Sequence, residues 1–309
     1  MNLSNQTTWS HHRSGWKYAI NCLNELHNQH GPKFIGWADG YFSFNKTPIK
    51  EPWVGFLHGV PEHPIASPKY QKMKSLKVIF DSQQWKESRK KCIGIFTLCD
   101  YLSNYIHDKT GLTTSTIIHP TEVPEKKFSY DSYASNNDRK LIMVGHWLRK
   151  YESLYDLNIS KKKYILKSGH TGLDADMNYL GNVMKERLDE VSFMEHVSCN
   201  EYDQLLANNI VFLNLYDVAA NNAIIDCIIR NTPILINRLP AAEEYLGTDY
   251  PFFYSSLEEA SNMADDDMLI NKTSTYLSEL DIKNKMTKSN FVESIKNSSV
   301  YGRCFMKLL

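Results

Sequence analysis

What this 309-residue chain lacks narrows its reading first. It has no net charge: Lys+Arg 35 against Asp+Glu 35 leaves no global field to gather nucleic acid or an anionic surface. It has no paired cysteines. Cys22, Cys92, Cys99, Cys199, Cys227 and Cys304 show no C-x-x-C spacing and are scattered through apolar segments, which argues against zinc or a disulfide framework and for reduced core thiols. It has no long apolar run: nothing approaches the ~18 residues of a membrane span, and the opening MNLSNQTTWSHHRSGW has no apolar signal core, so a cytoplasmic protein is expected. Gly-x-Gly-x-x-Gly is missing as well. Neither FIGWADG nor IMVGHWLRK carries it, which removes the fingerprint of a dinucleotide dehydrogenase.

What is present is 42% hydrophobic and 12% aromatic, enough for two medium domains with cores of their own. The first half alternates strand-like pieces (33–37, 53–58, 78–80, 94–98, 116–119) with helix-like ones (16–27, 67–76, 83–92, 100–110). The polar, aperiodic stretch 121–139 reads as a linker. A second alternation follows, with strands at 140–145, 163–168, 191–197, 210–215, 232–236 and 251–255. Its helices fall at 148–157, 176–189, 200–209, 222–230, 243–247 and 257–264. Strand–helix alternation implies parallel sheets covered on both faces. The expected architecture is α/β: two Rossmann-like β/α/β domains, 1–120 and 140–309, facing across a cleft, with the last helix able to pack back on the N-terminal domain.

The densest information lies in 214–247, NLYDVAANNAIIDCIIRNTPILINRLPAAEEYLG. An apolar strand runs into a loop rich in Asn and Ala, which opens a helix over 222–230 that leads straight into another strand. That order puts free backbone N–H groups and the positive end of a helix dipole at the carboxyl edge of a parallel sheet, where a phosphate is stabilised. Asn221 and Asn222 suit the cap and leave the amides beyond them for a ligand.

These features resemble the GT-B glycosyltransferases, and the resemblance covers nearly the whole chain. Residues 197–253 look like donor domains of bacterial and viral polysaccharide transferases; HHRSGWKYAI, PWVGFLHGVPEHP and FTLCDYLSNYI look like the acceptor domain. Retaining members carry a Glu, seven residues, a second Glu, then Ala-x-x-x-Gly-Thr-Pro and a later Pro-Glu. Setting the register on Thr232-Pro233 puts Asp226 at the second acid, which implies a contact to the ribose hydroxyls, Asn231 at the Gly and Glu244 at the later Glu. The first Glu falls on Val218, a departure: either Asp217 or Asn222 supplies the polar contact to the sugar, or the chemistry differs from the retaining pattern.

The resemblance also implies a cation for the leaving diphosphate after the first strand of the second domain. There Val144 to Lys150 reads VGHWLRK: Gly145 permits close approach, Arg149 or Lys150 is the cation, and His146 occupies the family's Arg position. Side-chain cations make a metal unnecessary. Asp174-Ala175-Asp176 follows a polar loop rather than an apolar strand and, like Asp265 to Asp267, reads as a solvated turn.

In the first half His58 closes an apolar strand and is a catalytic candidate, with Asp39 as the general base if the transfer inverts. Ser14, Gly15 and Trp16 are candidates for the acceptor or the domain interface, and Asp100 reads as an N-cap. The expected partners are a UDP- or GDP-type nucleotide sugar, as substrate with no separate cofactor, and a glycan or lipid-linked glycan acceptor, with no nucleic acid. The basic runs Arg89 to Lys91 and Lys161 to Lys163 read as solvated faces or as peripheral contacts with a membrane. A sugar-nucleotide epimerase of the same fold and a non-catalytic scaffold are the alternative readings.

Overall fold

The computed structural model describes residues 1–9, 12–64, 73–167, 180–182 and 184–306. They form two compact units: the first from the described parts of Met1–Ala66, Tyr70–Glu122 and Asn284–Leu309, the second from those of Val123–Lys283.

The first unit is built on four parallel strands in chain order: β1 (Lys33–Ile35), β2 (Trp53–Phe56), β3 (Cys92–Thr97) and β4 (Thr114–Thr116). Strands β2 and β3 are buried along their whole length, as apolar runs covered on both faces must be. The Ala38–Phe44 helix was not expected from the sequence; the Trp16–Cys22 and Asp100–Thr110 helices follow the expected pattern. The last of these ends on Gly111 in the left-handed region (φ 68°). Its N-cap is Cys99; Asp100 is the first helical residue and favours the positive helix end by charge.

The strand expected at 78–80 is absent, and Leu76–Asp81 is a helix. Val-Ile-Phe favours strands, yet burial here is one-sided: Ile79 is in the core, Val78 is 52% exposed, and Phe80 lies 4.7 Å from Trp85 on the next helix, Gln83–Ser88. Packing overrides a three-residue propensity. The C-terminal helices Lys288–Lys296 and Ser299–Met306 belong to this unit. Phe291 stacks on Phe56, and Val300 approaches so close to Gly94 that an added Cβ would sit 2.8 Å from it.

The second unit has six parallel strands, β5 (Lys140–Met143), β6 (Lys162–Leu166), β7 (Ser192–Met194), β8 (Ile210–Leu213), β9 (Ile234–Asn237) and β10 (Phe253–Tyr254). Their order is β10-β9-β8-β5-β6-β7. Numbered within the unit this is 6-5-4-1-2-3, the doubly wound order, whose reversal between β5 and β8 opens a crevice at the carboxyl ends of those strands. The stretch 121–139 includes a short helix, Tyr130–Ala134, with Tyr133 buried, and Phe128 N–H donates to Arg230 O in the second unit (2.7 Å). Only one turn, Glu152–Tyr155, forms within 148–157, because the chain before it is used in a loop. Residues 176–179 and 183 of the expected 176–189 helix lie outside the described residues. No helix among the described residues is long and apolar enough to cross a membrane.

Candidate functional sites at two sheet edges

In the second unit the loops that follow β5 and β8 meet at the strand-order reversal. Arg149 and Leu215 form an antiparallel bridge, Lys150 N–H donates to Asn214 O (2.8 Å) and Tyr216 N–H to Leu148 O (3.1 Å). The loop after β5 turns on Gly145 (φ 75°), where an added Cβ would lie 2.6 Å from Arg149 Nη2. Glycine is needed there for conformation and for space.

Arg149 is 6% exposed. Its Nε and Nη2 donate to Val144 O (3.1 and 3.0 Å), Nη1 to Trp147 O (2.6 Å), and Nη2 also to Asn221 Oδ1 (3.2 Å). Asn221 in turn N-caps the Asn222–Arg230 helix by accepting from Ala223 N–H (2.9 Å). Arg149 therefore braces the reversal loop against the helix cap, and Lys150 is the cation turned to the opening. Lys150 is half-buried, its Nζ lies 5.0 Å from the centroid of the Tyr216 ring, and it lines a pocket with Asn214, Asn237, Arg238, Tyr254 and Ser255. The pocket wall is held by side chains: Asn237 exchanges two bonds with the Leu215 backbone (2.8 and 3.1 Å), Tyr254 OH donates to Leu213 O (3.0 Å), and Arg238 is tied to Glu243 (2.5 Å). Of the first-turn N–H groups of the Asn222–Arg230 helix, which have no acceptor in the helix body, that of Ala223 is taken by Asn221; the helix N-terminus and Lys150 give this edge positive potential.

The expected ribose acceptor, Asp226, is placed otherwise. It is 2% exposed, its Oδ1 accepts from Arg230 Nη1 (3.1 Å) and its Oδ2 from Tyr202 OH (3.4 Å), while Arg230 Nε and Nη2 bind Asp203 Oδ1 (3.0 and 2.6 Å). Burial pushes the Tyr202 hydroxyl well above its ordinary pKa and keeps it a donor. Asp226 is a core anion in an i, i+4 pair, and the short side chain never leaves the helix surface it shares with Arg230. Asn231, set at the family's Gly position, is left-handed (φ 59°). Val218, at the first acid, is buried; Asp217 Oδ1 accepts from Val218 N–H (2.7 Å) and is half-buried; His146 is half-buried in the reversal loop; Glu244 is exposed on the Pro240–Leu246 helix.

At the carboxyl edge of the first unit's sheet the chemistry is different. Asp39 is 1% exposed, with Oδ1 accepting from His58 N–H (2.9 Å) and Oδ2 from Trp37 Nε1–H (3.1 Å). Each oxygen accepts one N–H donor, so Asp39 ties the backbone of His58 at the strand end to the Trp37 indole. The His58 ring stands edge-on to Trp16 (4.3 Å) and its Nε2 bonds Gly36 O (2.9 Å), which places the proton on Nε2 and makes Nδ1 the lone-pair nitrogen of the neutral ring. Burial lowers the His58 pKa, against the opposing charge of Asp39 and the Gly36 carbonyl.

His119, which the sequence reading passed over, closes the same edge beyond β4. It is 2% exposed, its Nδ1 lies 2.7 Å from Pro120 O, and burial lowers its pKa to about 4. A His at the end of an apolar strand and before a Pro was the available signal. Trp16 is 1% exposed and walls His58; Ser14 is fully buried, and Gly15 N-caps the Trp16–Cys22 helix without a side-chain bond.

No group of three or more His, Cys, Asp or Glu among the described residues is placed to hold a metal. Asp174 and Asp176 lie outside them. Asp265 is not a bare solvated turn: it accepts from Ser160 and Lys161, and Asp267 pairs with Arg139 (2.8 Å).

No family model and no curated protein matches the chain. Solved structures do. Sucrose-phosphate synthase from Thermosynechococcus elongatus aligns with TM-score 0.62 at 10% identity, over 83% of this chain and 67% of that one. TarM aligns with TM-score 0.53 at 13% identity over 95% of this chain, which spans 57% of TarM. HepE of Anabaena, solved in complex with UDP-glucose, aligns with TM-score 0.52 at 11% identity, over 83% and 72% of the two chains. The chain has the GT-B fold, with a parallel, Rossmann-like sheet in each unit.

Proposed function

We propose that this protein is a glycosyltransferase that moves a sugar from a nucleoside diphosphate to a hydroxyl of a carbohydrate or lipid-linked acceptor. The observation that carries the reading is Lys150 at the strand-order reversal, half-buried over Tyr216, beside a helix N-terminus that Arg149 and Asn221 hold in place. In the transfer, the bond from the anomeric carbon to the diphosphate oxygen breaks and one to the acceptor oxygen forms. The electron pair leaves with the diphosphate and the acceptor's proton must be taken up. Lys150 and the first-turn amides of the Asn222–Arg230 helix offset the charge on the leaving group. His58, neutral with Nδ1 as acceptor, suits the acceptor hydroxyl. Side chains and backbone supply the positive charge, and the donor is the only small molecule the reaction requires besides the acceptor. The expected setting is the cytoplasm, in synthesis of a polysaccharide or other glycan.

A thermal-shift series with UDP, GDP and their sugars tests the donor site. A ligand at about 100 times its Kd stabilises the folded protein by about 2.7 kcal/mol. One nucleoside diphosphate raising the midpoint in the wild type and less in Lys150→Ala supports the reading; no shift with any of them removes it. A non-catalytic nucleotide-binding partner of the same fold is favoured by one feature, the buried Val218 at the first acid position. Donor hydrolysis or transfer by the pure protein excludes that alternative.

A further inference from the structure

We infer that the first unit carries a docking face for an anionic lipid surface, made by Lys46 and Lys50 with Lys86, Arg89, Lys90 and Lys91. The first two lie in the loop after the Ala38–Phe44 helix; the other four lie on the Gln83–Ser88 helix and the turn Arg89–Lys91 that continues it. The two segments are bound to each other: Ile49 N–H donates to Ser88 Oγ (2.9 Å), Trp53 Nε1–H to Ser88 O (2.8 Å) and Gln84 Nε2 to Thr47 O (3.2 Å).

All six cations are exposed, and none makes an ion pair among the described residues. Some exposed lysines of the same unit do: Lys33 pairs with Glu51, Lys77 with Glu62 and Lys296 with Glu25. The carboxylates nearest in sequence are already engaged, Glu51 by Lys33 and Glu87 by Gln83 Nε2 (2.9 Å). In a chain of formal net charge +0, six cations against Glu87, whose Gln83 partner is neutral, leave a local excess of positive charge.

The other basic run separates cleanly from it. Lys161 is bound to Asp265, Lys162 to Asp138, and Lys163 to the carbonyls of Tyr155 and Leu157, so that run is spent inside the second unit. The first unit's patch also has an apolar element. Phe44, which ends the helix two residues before Lys46, is 56% exposed. Cations flanking an exposed aromatic suit a headgroup layer, which attracts the charge and accepts the ring at its acyl boundary. Five of the six cations are lysines. Hydrated point charges on flexible stems fit a fluid array of headgroups better than the fixed geometry of nucleic acid, which favours the bidentate fork of arginine.

The inference is independent of the transferase reading and is tested without turnover. The intact protein is mixed with phosphatidylcholine vesicles containing or lacking phosphatidylserine, and co-sedimentation is measured across a salt series. Binding that needs phosphatidylserine and weakens with salt is expected. The triple variant Lys86→Glu, Lys90→Glu, Lys91→Glu should bind at least about tenfold more weakly, since each cation near an anionic leaflet contributes about fivefold. Phe44→Ser should weaken binding at low and high salt alike, and Lys272→Glu, exposed on the Asp267–Glu279 helix, should leave it unchanged. Since all the substituted residues are exposed, unchanged thermal midpoints verify that the variants are folded. Equal binding to both vesicle types, an unaffected triple variant, or tighter binding to duplex DNA than to vesicles at the same salt would overturn the proposal.

Discussion

The carboxyl edges of the two sheets share an architecture and differ in how they treat charge. In the second unit, a half-buried lysine, a braced arginine and a helix N-terminus build positive potential. In the first, Asp39 is closed off by two donors, and the imidazoles of His58 and His119 are pushed by burial towards the neutral form. Both are carboxyl edges of parallel sheets, and only the second has the strand-order reversal that opens a crevice. What differs is burial and partners, which leave one edge electropositive and the other lined by neutral imidazoles.

The comparison can be broken at several points. Arg230→Ala should have the largest effect, about 3–5 kcal/mol of stability in denaturant unfolding, because it strands Asp203 and Asp226 as buried charges without a cation. A loss under about 1 kcal/mol would mean that this triad is solvated and that Asp226 is open to a ligand.

The neutral edge predicts acid sensitivity. His119 has a folded pKa of about 4 against an ordinary 6.5, so its contribution is present above about pH 6.5 and is lost as pH falls towards 4, because the unfolded chain takes up the proton first. The lost stability approaches about 3 kcal/mol. His119→Gln should flatten that part of the stability curve; an unchanged slope would place a charged imidazole at this edge.

Lys150→Ala should lower turnover about 10²-fold with the fold intact, as loss of one electrostatic donor does. Equal rates in the two proteins would leave the second edge with no cation in the chemistry. Arg149→Ala, by contrast, should lower the thermal midpoint along with activity, since its bonds are structural. Asp39→Asn should cost about 1–3 kcal/mol, because the amide nitrogen cannot accept from the N–H that one carboxylate oxygen held, with turnover largely kept. A collapse of turnover with stability unchanged would restore Asp39 as the base.

The helix over 222–230 was legible to the residue, because an apolar stripe begins after the Asn221 cap and ends at Asn231, a residue that tolerates the left-handed turn. The 78–80 strand was misread because three β-favouring residues cannot show which face will be covered. Asp226 was placed at the ligand for a related reason: Asp203 and Tyr202, on another helix, help decide where the carboxylate points. The two basic runs looked alike in sequence, and only their neighbours separate a tied run from an open one.

The sequence by itself determined the strand–helix alternation, the parallel sheets it requires, the capped helix start at Asn221 and the Gly at 145, since these follow from periodicity, capping and backbone freedom. The tertiary structure alone decided which charged groups are available for chemistry. Arg149, Asp226 and Asp39 are each held by residues distant in the chain, and a charge's role depends on its burial and on the partners that reach it first.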